Sequence, residues 1–140
     1  MNQVMTIKDT TRMIAGMTPV LAEGLWVYCC ETDPGQVATL VNAAFAVVKE
    51  AEGTTLILPA EVASANGYDT GLQMRRITLN VFSDLEGVGL TAAVAQALTD
   101  AGIACNVVAA YLHDHIFVPE SDAETALSAL QNLQRAAAKE

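Results

Sequence analysis

The residues whose types and spacing bear most directly on chemistry lie in Ser83-Asp84-Leu85-Glu86-Gly87-Val88-Gly89-Leu90-Thr91. Glycines at 87 and 89 let the backbone approach a bound group closely and take conformations closed to other residues. A helix is expected to follow. Its first turn offers N–H groups without intrahelical partners and the positive end of the helix dipole, which suit a carboxylate or a phosphate. Asp84 and Glu86 would repel a phosphate dianion. They suit a zwitterion better, with main-chain N–H groups for its carboxylate and an acid for its ammonium. The plainer alternative is that Ser83 or Asp84 caps the helix and the glycines only shape the turn. Neither a P-loop nor a dinucleotide fingerprint is present, since the Lys of the one and the third glycine of the other are missing.

His113-Asp114-His115 is the other conspicuous group. Histidines at i and i+2 share one face of a strand and could hold a metal, but a third ligand would have to come from afar. Contact with a small ligand, or a solvated turn, are the competing readings, and no metal site is expected. Nucleophilic catalysis has little support. Cys105 sits in an apolar strand, where burial makes a thiol inert. Cys29 and Cys30 are no better placed, and no Gly-x-Ser-x-Gly occurs. No catalytic residue is assigned, and neither enzymatic activity nor a cofactor is expected.

The elements that must position these residues follow from periodicity. Residues 7–15 read as a short helix stopped by Gly16 and Pro19, and Leu25 to Cys30 reads as a strand. Asp33-Pro34-Gly35 is a turn, and Val37, Leu40, Val41, Ala44 and Val48 recur at helical spacing, predicting a helix over 36–50. Thr54 to Leu58 is a strand, followed by a turn or two of helix over 61–65. In the second half, strands are predicted at 76–82, 103–111 and 115–118. A helix runs from about Leu90 to Ala101, and a last one follows Pro119, capped by Ser121 or Asp122 with Glu124 in capping-box position. The helical stripes are core, because amphipathic spacing is what packing requires.

The halves look like copies of each other. Setting Val27 on Val81 aligns Tyr28 with Phe82, Gly35 with Gly89 and Leu40 with Val94, and Leu56 to Glu61 resembles Ile116 to Ser121. The first copy reads as shorter where the second has its 103–111 strand. Two α/β units packed together are expected rather than a solenoid, which needs three or more repeats. The boundary is expected between residues 70 and 71. The order strand–helix–strand–strand–helix implies an α+β fold with helices on one face of a mainly antiparallel sheet.

Composition narrows the partners. The 140 residues carry 7 Lys+Arg against 16 Asp+Glu, a formal charge of −9. Such a balance argues against nucleic acid, which needs clustered cations, and against anionic membrane surfaces. No stretch reaches the roughly 18–20 apolar residues of a membrane span. No basic n-region and apolar h-region opens the chain, so no signal peptide is expected. Three cysteines in a chain that needs no staples fit a cytoplasmic protein with reduced thiols.

Four segments carry a resemblance: Ala51 to Pro59, Glu86 to Val94, Ile103 to Tyr111 and His113 to Pro119, with Met17 to Leu21 and Trp26-Val27-Tyr28 in support. Together they resemble small stand-alone bacterial proteins of the ACT-domain superfamily over about residues 13–133. The resemblance implies two ferredoxin-like, ACT-like units, over 1–70 and 71–140, that bind small ligands, usually amino acids. It implies a homo-oligomer, a dimer, since ACT-type sheets often join side by side. Mapped by motif, the ligand loop is Asp84, Leu85, Glu86, Gly87, Val88, Gly89, Leu90 and Thr91. The facing strand carries Asn106 and Val107, with His113 and His115 nearby. In other members such modules regulate an attached enzyme, for which a chain of 140 residues is expected to have no room. An interaction and oligomerisation module without ligand is the alternative function, and a metal- or thiol-dependent enzyme using His113, His115 and a cysteine is the third.

Energetics set one requirement. Micromolar binding needs about 8 kcal/mol, whereas a helix N-terminus supplies roughly 0.3–2 kcal/mol. A second wall must therefore close the loop, from the other half or a second subunit.

Overall fold

The computed structural model describes residues 9–81 and 85–139. The element order is α1 (Thr10–Ala15), β1 (Pro19–Leu21), β2 (Trp26–Glu31), α2 (Pro34–Leu40), β3 (Ala46–Lys49), β4 (Thr54–Pro59), α3 (Ala60–Ala65), β5 (Met74–Leu79), α4 (Leu90–Asp100), β6 (Asn106–Ala109), β7 (Asp114–Pro119) and α5 (Ala123–Ala138). The chain divides into two compact units. One, the inserted unit, is Gly24–Met74; the other, the split unit, joins Met1–Glu23 to Arg75–Glu140.

In the split unit β7 lies between β5 and β6, and β1 pairs antiparallel with β5, Pro19 opposite Leu79. Strand alternation puts Ile77 and Leu79 of β5 and Ile116 and Val118 of β7 on one face. There they meet Met13 and Ile14 of α1, Leu90, Val94 and Leu98 of α4, and Ala126 and Leu130 of α5, in a single apolar cluster. The inserted unit repeats the arrangement at smaller scale. Its sheet runs β3-β4-β2, with both pairs antiparallel. Val27 and Cys29 of β2 face Leu58 and Leu56 of β4, and pack with Leu40 of α2 and Ala63 of α3. Each unit is thus the expected α+β arrangement, an antiparallel sheet with helices on one face.

The repeat is closer than the sequence suggested. In the β3–β4 hairpin Ala46 pairs with Ile57 and Lys49 with Thr54. In the β6–β7 hairpin, 60 residues on, Asn106 pairs with Phe117 and Ala109 with Asp114. The first copy is therefore not missing the strand that its counterpart carries. The predicted helix over 36–50 holds only for Pro34–Leu40. It is closed by turn bonds in which the Ala43 and Ala44 N–H groups donate to the Leu40 carbonyl, and the chain then re-enters the sheet. Pairing settles the conflict: Phe45 N–H donates to the Ile57 carbonyl at 2.8 Å, and the Phe45 ring meets Trp26 edge-on at 5.6 Å. Helical spacing in residues 44–48 was a coincidence of apolar content, and the β-branched Val47 and Val48 fit a strand.

Two smaller expectations also give way. β1 is a strand where the sequence showed only Pro19 as a stop signal. The last helix opens with a 3-10 turn, Glu120–Asp122, and Asp122 makes no side-chain cap among the described residues. The tighter turn satisfies the start of the helix in place of the capping box.

Leu130 is fully buried between α5 and the sheet of the split unit. Leu130→Ala is expected to cost about 2–5 kcal/mol by chemical denaturation. Val48→Ala, at a half-exposed edge position, is expected to stay within about 1 kcal/mol.

Candidate functional site

The loop ahead of α4 lines a hollow in the split unit of about 340 Å³. Its lining is Leu85, Gly87, Val88, Gly89, Leu90 and Thr91 from the loop and the start of α4, Met13 from α1, and Ala109 and Asp114 from the β6–β7 hairpin. The end of the β6–β7 hairpin where Ala109 and Asp114 pair thus borders the hollow together with the loop, within the split unit itself.

Gly89 decides the geometry of the loop. It is the N-cap of α4 at φ +106°, a left-handed conformation, and has no side chain with which to cap. The other helices that start from a loop behave differently. Asp9 accepts from Arg12 N–H at the start of α1, and Asp33 accepts from Gly35 N–H at the start of α2. The loop is also pinned from outside, since the Thr10 hydroxyl donates to the Val88 carbonyl. A Cβ on Gly89 would lie 2.8 Å from Thr10 Cγ2 and 3.0 Å from its Oγ1. The expectation that Ser83 or Asp84 caps α4 falls outside the described residues, as does the candidate Asp84 itself.

Of the described candidates, Leu85, Gly87, Val88, Gly89, Leu90 and Thr91 line the hollow, whereas Glu86, Asn106, Val107, His113 and His115 do not. Asn106 is exposed and donates from Nδ2 to the Phe117 carbonyl at 3.3 Å. Val107 packs on the apolar cluster. His113 Nδ1 lies 2.6 Å from the Leu112 carbonyl oxygen, in the turn closed by Ala110 N–H donating to His113 O. His115 Nδ1 sits 3.0 Å from Thr78 Oγ1 and 3.5 Å from Arg76 Nη1. The guanidinium only donates, so Nδ1 is the acceptor and the ring proton is on Nε2. Burial, then the charges of Arg76 and His113, lower His115 to about 4.

The residue between the two histidines is the one that reaches the hollow. Successive strand side chains point to opposite faces, so His115 joins Arg76 and Thr78 while Asp114 turns the other way. Burial raises the Asp114 carboxyl above its usual value, with the nearby charge of His113 opposing the shift. Chemically, the hollow is lined both by the amino end of a helix and by a carboxyl-bearing residue. Neither Ala109 nor Met13 was marked by the sequence; cross-strand register with Asp114 is the signal that finds Ala109. Among the described residues no group of three His, Cys, Asp or Glu comes together as a metal site would need. Burial also pushes the thiols of Cys29 and Cys105 up, away from the reactive thiolate.

Residues 6–75 match a family model described as ACT domain, and residues 73–132 match a second of the same description. The chain belongs to the ACT-domain family. Similar solved structures agree. A Vibrio cholerae protein of unknown function, described as a possible transport protein, is 39% identical with a TM-score of 0.78 over 89% of this chain and 94% of that one. The ligand-free regulatory subunit of aspartate kinase from Thermus thermophilus gives 0.61 at 12% identity, over 85% and 97%. An Agrobacterium tumefaciens protein gives 0.56 at 14%, over 79% and 81%. The latter two share the fold alone. No curated protein matches. ACT domains are typically regulatory, ligand-binding modules.

Gly89→Ala is expected to cost about 1–3 kcal/mol in urea denaturation, from forbidden backbone and the clash with Thr10. The cost should shrink in a Thr10→Ala background, because the two sites share one contact. For His115, the folded value of about 4 lies below the ordinary 6.5. The unfolded chain therefore takes up the proton first, and stability should fall as pH drops from 6.5 towards 4. His115→Gln should flatten that slope.

Proposed function

We propose that this protein is a non-catalytic regulatory module that binds a small zwitterion, an amino acid, in the hollow between the start of α4 and the β6–β7 hairpin. The observation that carries the reading is the presence of two chemistries on one hollow: a helix start whose N-cap is Gly89, and Asp114. N–H groups at the start of α4 would take the ligand carboxylate, and Asp114 its ammonium. The loop candidates from Asp84 to Thr91 belong to this reading, with Asn106, Val107, His113 and His115 acting only at its margin. Membership of a family of regulatory ligand-binding domains supports it. So does the volume, since a hollow of about 340 Å³ suits a ligand of amino-acid size. Two ACT-like units over 1–70 and 71–140, a homodimer and a cytoplasmic location complete the proposal.

A second reading has one observation in its favour. Val47 and Val48 are exposed on β3, which ends the sheet of the inserted unit. An edge of this kind accepts another strand, and the chain would then serve as an interaction module without ligand.

Thermal denaturation with each common amino acid separates the two. A ligand at about 100 times its Kd adds about 2.7 kcal/mol of stability. At least one amino acid should do so. Asp114→Asn should weaken that ligand by about 1–3 kcal/mol. Because the Asp114 carboxyl is raised, wild-type affinity should fall with decreasing pH sooner than for an ordinary carboxylate near 3.9, and the Asn variant should lose this dependence. No shift for any amino acid at millimolar concentration, with mass rising as protein concentration rises, supports the interaction module instead.

A further inference from the structure

The repeat places a counterpart of the α4 hollow in the inserted unit, and its chemistry differs. A hollow of about 340 Å³ lies ahead of α2, lined by Glu31, Thr32, Pro34, Val37 and residues 49–54. Lys49 and Thr54 occupy the hairpin positions that Ala109 and Asp114 hold 60 residues on. Volume and position are repeated, and the residues that would contact a ligand are not.

The main-chain positions from Thr32 to Gly35, just ahead of α2, are spent or lack a donor. Glu31 Oε2 accepts from the N–H groups of both Thr32 and Asp33, each at 3.0 Å. Asp33 Oδ1 accepts from Gly35 N–H at 3.2 Å. Pro34, between them, has no N–H to give. The other oxygen of Glu31 is held as well, accepting from the Tyr68 hydroxyl. Bonds from Tyr68, Asp33 and Thr32 draw the Glu31 carboxyl below its usual value, so it stays ionised. An incoming carboxylate would find the N–H groups of Thr32, Asp33 and Gly35 already taken, and would meet Glu31, Glu50 and Glu52 around the same space. Lys49 is the single cation among the described lining residues. By contrast, the loop before α4 has glycine at its cap and no proline in its first turn.

We infer that the two copies have diverged in use: the inserted unit's own Glu31, Asp33 and Pro34 close its hollow to acids, so each chain takes one amino-acid ligand, at the α4 hollow alone. The inference rests on the function proposed above and adds its stoichiometry and the residues that set it. Glu31 is the built-in occupant of this loop, a carboxylate supplied by the chain to the Thr32 and Asp33 N–H groups.

Amide NMR of the full chain tests both parts. With a mixture of the common amino acids as probe, the amides of Gly87, Gly89 and Thr91 should shift and saturate, while those of Thr32, Asp33 and Gly35 stay in place. Saturable shifts in the second set overturn the inference, whether or not the first set moves. If neither set moves, the proposed function itself fails and the stoichiometry falls with it. A ligand-free arm examines the closure directly. Glu31→Ala should move the Thr32 and Asp33 amide protons upfield as their charged acceptor disappears. Unchanged amides in that variant show that Glu31 does not hold them, and overturn the closure even if amino acids bind at α4.

Discussion

A helix that begins on a glycine in a left-handed conformation leaves its first turn to be satisfied by something other than its own cap residue. At α4 this is forced by space as well as by backbone angle, because Thr10 stands where any side chain on Gly89 would go. Orphan donors at a helix start and the dipole behind them are costly to leave bare and favourable to cover with an anion. The rest of the split unit is arranged around that end. α1 pins the loop through Thr10 and Val88, and the β6–β7 hairpin adds Ala109 and Asp114 to the lining of the hollow.

Duplication makes the argument sharper, because the same scaffold supplies its own control. The two hairpins share a register to the residue, and both central strands read as continuous apolar runs, Leu56-Ile57-Leu58 and Ile116-Phe117-Val118, buried on both faces. A shared frame carries unlike loops ahead of α2 and α4. Where α4 has Gly89, α2 has Asp33 and Pro34, and Glu31 accepts from the N–H groups of Thr32 and Asp33.

Much of this was legible in the sequence, for reasons that particular residues make plain. Strands β2, β4 and β7 announce themselves by β-branched and aromatic runs bounded by Gly or Pro, and α4 by Leu90, Val94 and Leu98 on one face. Gly87 and Gly89 marked the loop, and the lining from Leu85 and from Gly87 to Thr91 follows from them. What stayed hidden depends on pairing between distant segments. β3 lay inside an apparent helix because Val37, Leu40, Val41, Ala44 and Val48 fit helical spacing, and only Ile57 across the hairpin reveals the strand. Asp114 was masked by the histidines on either side, since alternation, rather than residue type, decides which of the three reaches the hollow. His115 carries the more conspicuous chemistry, and its ring nitrogen is taken up with Thr78 and Arg76.

The most direct measurement is a crystal structure of the protein grown in a mixture of the common amino acids. The account predicts one amino acid per chain, its carboxylate against the N–H groups at the start of α4 and its ammonium towards Asp114. An occupant seated anywhere else, or a side chain of the protein already covering those N–H groups with the hollow empty, would contradict it.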